Sequence, residues 1–245
     1  LPNEFPGIRG FGFIARVQRS HLDAFIASEQ ADFAPEFTLQ TSGDAADLFV
    51  IKYIEPMAVN RAAFGFDIGQ EAVRREAAER AMNTGQPALT GKIALVQDGK
   101  QSPGFLYFLP VYRNGADPVT AAQHQAALVG LLYAPIVASE LFEGLVDVVH
   151  GALRIEVLDG TIPSPDSSLF DSEGASSVAG SAAPQALDRL PVFSVVRPIA
   201  VGGRTLNVRV SSTPAFHAMQ DRTSLALASL AGALASLLLA LTVWL

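Results

Sequence analysis

The chain has 245 residues, 49% hydrophobic and 17% charged, with no cysteine and a formal net charge of −7. That apolar content over that length supports one large domain or two small ones and excludes a disordered or low-complexity protein. The lack of cysteine excludes a disulfide scaffold, a thiolate zinc site and a cysteine nucleophile, and the acidic balance argues against a nucleic-acid partner, which would need a basic footprint.

In chain order, Arg16–Gln30 places Val17, Leu22, Phe25 and Ile26 on one helical face. Leu48–Ile54 is a short β-rich run and Ala62–Phe66 is read as another. Asp67-Ile-Gly-Gln then opens a helix, with Asp67 and Gln70 spaced as a capping box and Ile68, Ala72, Val73, Ala77 and Ala81 on the buried side. Thr84-Gly85 supplies the stop signal. Lys92–Gln97 and Gly104–Tyr112 read as a hairpin joined by Asp98-Gly99. Leu128–Tyr133 is a further apolar run, Ser139–His150 a helix and Leu153–Leu158 a strand. Asp159–Leu190, rich in Ser, Ala, Gly and Pro, reads as a long loop. Val192–Arg197 and Thr205–Ser211 form a second hairpin around Gly202-Gly203, and Pro214–Arg222 a helix. Antiparallel hairpins interleaved with helices predict an α+β fold of two successive sheet-and-helix lobes.

The mean hydropathy of +0.30 is unevenly spread. No charged residue follows Arg222, and Leu225–Leu245 is long enough, at 1.5 Å per residue, to cover roughly 30 Å of hydrocarbon. It is expected to be a transmembrane helix, with Trp244 near an interface. Small residues recur every fourth position, among them Ala228, Gly232 and Ser236. That row suits close helix pairing in a homodimer, or simply reflects an alanine-rich segment.

Catalytic signals are absent. His21, His124, His150 and His217 lack metal-ligand spacing, and no GxSxG elbow occurs. Gly85…Gly91-Lys92 has five intervening residues and no following Ser or Thr, so it is not a phosphate loop. An enzymatic role, a metal and a cofactor are not expected of this segment.

Tyr53-Ile54-Glu55-Pro56, Asn60 and Ala63-Phe64-Gly65-Phe66-Asp67 resemble the CHASE domain, the extracellular sensory module of histidine kinases and cyclases. Pro6-Gly7-Ile8 and Gly12–Val17 are similar to its opening block; Arg74, Ala78, Thr84-Gly85, Thr90 and Leu95-Val96-Gln97 to its central helix and following strand; Pro110-Val111-Tyr112 to the next strand. The similarity is specific over about 5–133 and looser to about 215. The resemblance implies a long N-terminal helix and a first membrane span ahead of this chain. It then implies a membrane-distal PAS-like lobe (1–133) and a membrane-proximal one (134–223, with an insertion at about 159–190). The second span would be 224–245, leading to a cytoplasmic histidine kinase or diguanylate cyclase. The chain would thus be a truncated receptor in a bacterial inner membrane, in contact with lipid, with 1–223 periplasmic.

Plant cytokinin receptors of this family hold an adenine-type ligand, with an aspartate before the central helix on the purine and a threonine on the next strand in the pocket. Asp67 and Thr90 occupy the matching positions. Asp67 alternatively caps the helix, and Thr90 alternatively is an ordinary strand-start residue. Phe66, Leu106, Phe108 and Leu131 are candidate apolar walls or plain core, and Arg61 and Arg74 are candidate partners of an anionic ligand. The expected function is small-molecule sensing relayed through the membrane helix. The alternative is a dimerisation or protein-binding module without a small ligand.

Overall fold

The computed structural model of the chain describes residues 5–32, 34–95, 102–149, 151–160, 167–173, 193–219, 229–234 and 236. In chain order the elements are β1 (Phe11–Gln18), α1 (Leu22–Ala31), β2 (Asp47–Glu55), α2 (Met57–Asn60), α3 (Ala72–Thr84), β3 (Ala88–Leu89), β4 (Ile93–Ala94) and β5 (Pro103–Tyr112). They continue with α4 (Ala121–Ala127), β6 (Leu128–Val137), α5 (Ala138–Val149), β7 (Leu153–Asp159), β8 (Ser168–Asp171), β9 (Ser194–Val201), β10 (Arg204–Ser212) and α6 (Pro214–Met219). A six-stranded sheet runs β2-β1-β6-β5-β3, with β4 also on β5, and a four-stranded sheet runs β8-β7-β10-β9. All pairings within both sheets are antiparallel, so the architecture is α+β.

β5 explains how the two sheets relate. Its residues alternate, and over Gly104–Phe108 both faces are covered, which is why that stretch is almost continuously apolar. Leu106 and Phe108 point into a core with Ile14, Leu131 and Tyr133 of the neighbouring strands and with Ala77, Ala78, Ala81 and Met82 of α3. Phe105 points the other way, into a layer with Leu89 and with Ile155, Val157 and Leu206 of the four-stranded sheet. Polar contacts fasten the edges of that second layer. Asp159 accepts from Arg204 Nε and a terminal nitrogen at 2.8 and 2.9 Å and from the Lys92 N–H at 2.9 Å. The Leu89 N–H donates to the Gly202 carbonyl at 2.9 Å.

Several elements differ from the sequence expectation. The segment expected as one helix from Arg16 to Gln30 is the end of β1 followed by α1. The apolar stripe Val17, Leu22, Phe25 and Ile26 is nevertheless a single surface, packed with Phe37, Leu48 and Val50; it spans a strand and a helix instead of one helix. Ala62–Phe66 is not a strand: Arg61–Ala63 is a 3-10 turn, and Phe66 and Asp67 make isolated bridges to Gln40 and Val50. The central helix begins at Ala72, four residues later than a cap at Asp67 requires. Asp67 caps the short 3-10 turn Ile68–Gln70, while Glu71 accepts from the N–H groups of Val73 and Arg74 at 2.9 and 3.1 Å and starts α3. Gln70 reaches the Gln40 carbonyl and Ser42 instead of completing a capping box. Gly85, at φ +69°, ends the helix as expected. Within the expected loop Asp159–Leu190 lies β8, paired to β7. The Asp98-Gly99 turn and His150 fall outside the described residues.

Of the expected membrane span, only residues 229–234 and 236 are described; they are helical and exposed, and Ala228 lies outside them. Among the described residues no helix is long and apolar enough to cross a membrane. The Ser236 hydroxyl donates to the Gly232 carbonyl at 2.9 Å, and nothing lies within 4 Å of a Cβ built at Gly232.

Adjacent β5 residues give a direct check of this packing. Phe108 is 0% exposed and Leu109 43%. Phe108→Ala is expected to cost about 3–5 kcal/mol and Leu109→Ala no more than about 0.5–1 kcal/mol, read as shifts in urea midpoint at constant slope.

Candidate functional site

The apolar residues singled out in the sequence lie in the core between α3 and the six-stranded sheet. Leu131 lies on β6 and Leu106 and Phe108 on β5; all three are within 3% of full burial and belong to one core cluster, with Phe66 packed at its margin. Asp67 is 1% exposed. One of its carboxylate oxygens accepts from the N–H groups of Phe49 and Gly69, both at 2.9 Å, and the other from the Thr41 hydroxyl at 2.8 Å. Asp67 thus joins β2, the 3-10 turn and the segment around Thr41.

Thr90 follows the two residues of β3, where the edge of the sheet leaves β5 before β4 rejoins it. Its N–H donates to the Leu106 carbonyl, and its hydroxyl accepts from the Leu106 N–H, both at 2.9 Å. The hydroxyl replaces the backbone carbonyl that a regular ladder would present there. Both residues therefore have structural partners that the sequence could not supply.

Two further buried polar groups lack such partners. The Tyr133 hydroxyl and the Asn60 side-chain oxygen are buried with no hydrogen bond. Asn60 is held by its amide nitrogen, which donates to the carbonyls of Arg9 at 3.0 Å and Pro56 at 2.9 Å, leaving its oxygen unused. Burial pushes the Tyr133 phenol far above its usual range, so it stays a hydroxyl, able to donate. Space for both comes from Gly12 of β1 and from Gly10 just before it. A Cβ at Gly12 would stand 2.4 Å from the Tyr133 ring, and one at Gly10 would stand 3.1 Å from the Asn60 amide nitrogen. Gly12 pairs with Tyr133 across the ladder, and Tyr133 pairs with Phe108 on its other side.

Arg74 is the third unusual group. It is 7% exposed, its guanidinium lies 5.5 Å from the centre of the Phe66 ring, and one nitrogen donates to the Ala94 carbonyl at 2.7 Å. The facing carboxylate, Glu71, stands 4.0 Å away and is already engaged in capping α3. Burial lowers the Arg74 pKa and Glu71 partly offsets this, yet an arginine keeps its charge at any physiological pH. Arg61, by contrast, is a surface residue, 3.4 Å from Glu36. Among the described histidines, His124 contacts the Tyr112 hydroxyl and His217 contacts Ser212. Among the described residues no three His, Cys, Asp or Glu side chains are grouped to hold a metal ion.

The family model described as the CHASE domain matches residues 1–170. The chain belongs to the CHASE domain family. CHASE is a sensory domain and not a catalytic one. No curated protein matches this CHASE domain. The solved structures similar to it include the following two. An extracellular ligand binding receptor from Desulfohalobium retbaense DSM5692 is 13% identical with a TM-score of 0.42, over 79% of this chain and 37% of the receptor. A structure described as Methyl-accepting Chemotaxis protein X is 15% identical with a TM-score of 0.39, over 85% of this chain and 75% of that one. The CHASE domain thus spans little more than a third of the first structure's length.

Asn60 is one of the residues that carry the resemblance and Tyr133 closes an apolar run, yet the sequence marks neither as a binding residue. The available signal was a polar atom in an otherwise apolar stretch. Asp67 and Thr90 set a test of fold against ligand. Asp67→Ala leaves two buried N–H groups unpaired and is expected to cost about 2–5 kcal/mol, whereas Asp67→Asn can reproduce the bonds and costs far less. Thr90→Val costs about 1–3 kcal/mol and Thr90→Ser recovers most of it, all read by chemical denaturation without added ligand.

Proposed function

We propose that this CHASE domain is the periplasmic or extracellular sensing part of a membrane-bound receptor. It binds a small molecule between α3 and the six-stranded sheet. Occupancy passes through the Leu225–Leu245 segment, acting as a transmembrane helix, to a cytoplasmic histidine kinase or diguanylate cyclase. The observation that carries the reading is the pair of unpartnered buried polar atoms, a donor on Tyr133 and an acceptor on Asn60. Native folds rarely leave such groups unpaired, because each costs about 1–3 kcal/mol. A ligand with one acceptor and one donor offsets that cost on binding. Phe66, Leu106, Phe108 and Leu131 supply its apolar surroundings, and Arg74 favours a ligand with an anionic group. An adenine-type ring with an acidic substituent meets these requirements. In this reading Asp67 and Thr90 line the same site, each with capacity beyond its structural bonds: the carboxylate has an unused lone pair and the hydroxyl a proton to donate. The lobe organisation 1–133, 134–223 and 224–245 belongs to the same proposal.

A second reading, a module that dimerises or binds a protein without a ligand, draws on β9. This edge strand is exposed along all eight residues. Such an edge is open to pairing with another chain.

Tyr133→Phe separates the two. Removing an unpaired hydroxyl is expected to leave the ligand-free protein as stable or up to about 1 kcal/mol more so, while weakening ligand binding about tenfold. Arg74→Gln weakens anionic ligands more than neutral ones. Thermal-shift and calorimetric titration with adenine derivatives and carboxylated metabolites checks both. If no small molecule stabilises the protein and Tyr133→Phe leaves signalling unchanged, the ligand-sensing reading fails.

A further inference from the structure

We propose that the layer between the two sheets holds a second binding site, one for an uncharged hydrophobic small molecule of about the size of a medium-chain alcohol. It lies on the opposite face of β5 from the site above, next to Phe105 instead of Leu106 and Phe108. Facing sheets normally close to native packing density. Here the layer closes around Ile155, Leu169 and Phe170 but opens toward β9 into a cavity of about 380 Å³. Leu89 and Phe105 form one wall, Val157 and Leu206 the other, and Phe142 of α5 lies along one side. Ile199 and Val201 of β9 stand at the cavity, 48% and 37% exposed.

Size and chemistry together select the occupant. The wall presents apolar atoms only, so water inside finds no hydrogen-bond partner on the wall and an apolar guest is favoured in its place. No charged side chain lines the cavity. At its margin, Asp159 already takes both Arg204 donors and the Lys92 N–H, so nothing there calls for a charged headgroup. The volume falls in the lower range of small-molecule sites, roughly 300–1,000 Å³. Because each sheet supplies one wall, an occupant contacts both.

The experiment uses the full chain in lipid nanodiscs and a diazirine-bearing decanol analogue, with the labelled residues mapped by mass spectrometry. Saturable labelling is expected within Pro103–Tyr112 and Ser194–Val201, reduced at least tenfold by excess 1-decanol and at least tenfold by Val201→Trp, which fills the cavity from its exposed side. Ile199→Gln, at the same mouth, is the second variant should Val201→Trp fail to fold, and it carries the same expectation. Tyr133→Phe leaves the labelling unchanged within twofold. Labelling confined to Leu225–Leu245, labelling undiminished in a folded mouth variant, or labelling abolished by Tyr133→Phe each overturns the proposal. So does a loss of labelling that tracks self-association, which would make a second copy the occupant.

Discussion

The two-sided burial of β5 is the constraint on which the other contacts depend. A strand buried on both faces must be apolar at successive positions and must have a layer to fill on each side. Phe105 and Leu106 are neighbours in sequence but belong to different cores, one shared with the four-stranded sheet and one with α3. β3 repeats the division in two residues, with Ala88 in the α3 layer and Leu89 in the inter-sheet layer. This division places one candidate site in each layer and gives the two a common wall.

Buried polar atoms fall into two kinds, although the residues that carry them resemble one another in sequence. Asp67 and Thr90 are buried because each stands in for missing backbone partners: three donors converge on the carboxylate, and one hydroxyl continues a broken ladder. Their removal disturbs the fold before it can report on a ligand. Tyr133 and Asn60 are buried with polar atoms that bind nothing, although rotation or substitution could have removed the cost. Arg74 differs from both pairs: one nitrogen of its buried guanidinium donates to the Ala94 carbonyl at 2.7 Å, while the guanidinium lies over Phe66 with its facing carboxylate at 4.0 Å.

Where a residue's environment is set by its near neighbours, the sequence was readable. β2, β5, β6 and the β9–β10 hairpin follow from runs of branched and aromatic residues with turn chemistry between them, and Gly85 ends α3 as its type requires. β1 was hidden because Val17 lies in phase with Leu22, Phe25 and Ile26, so a surface shared by a strand and a helix imitates one helical stripe. β8 was hidden because Ser168–Asp171 is four residues set in a serine-rich segment. Asp67 was recognised as a cap, but of a 3-10 turn instead of the helix, since Glu71 competes for the start of α3. The unpaired state of Tyr133 and Asn60 could not be read at all. It depends on Gly12 and Gly10, far away in the chain, leaving room beside them, a relation that no local spacing encodes.

Leu89 ties the two layers together through its backbone. Its carbonyl accepts from an Arg80 terminal nitrogen on α3 at 2.7 Å, and its N–H donates to the Gly202 carbonyl, in the β9–β10 turn, at 2.9 Å. One peptide unit farther on, Thr90 holds both backbone groups of Leu106. Any movement of α3 that a ligand imposes must therefore either carry β3 and the β9–β10 turn with it or break one of these bonds. Closely packed interiors transmit strain instead of absorbing it, which favours the first course. The β9–β10 turn leads through β10 into α6, the last described helix before the apolar C-terminal segment. A displacement that starts beside Phe66 and Arg74 thus has a continuous route of short contacts to the end of the domain, and the inter-sheet cavity borders that route at Leu89 and Val201.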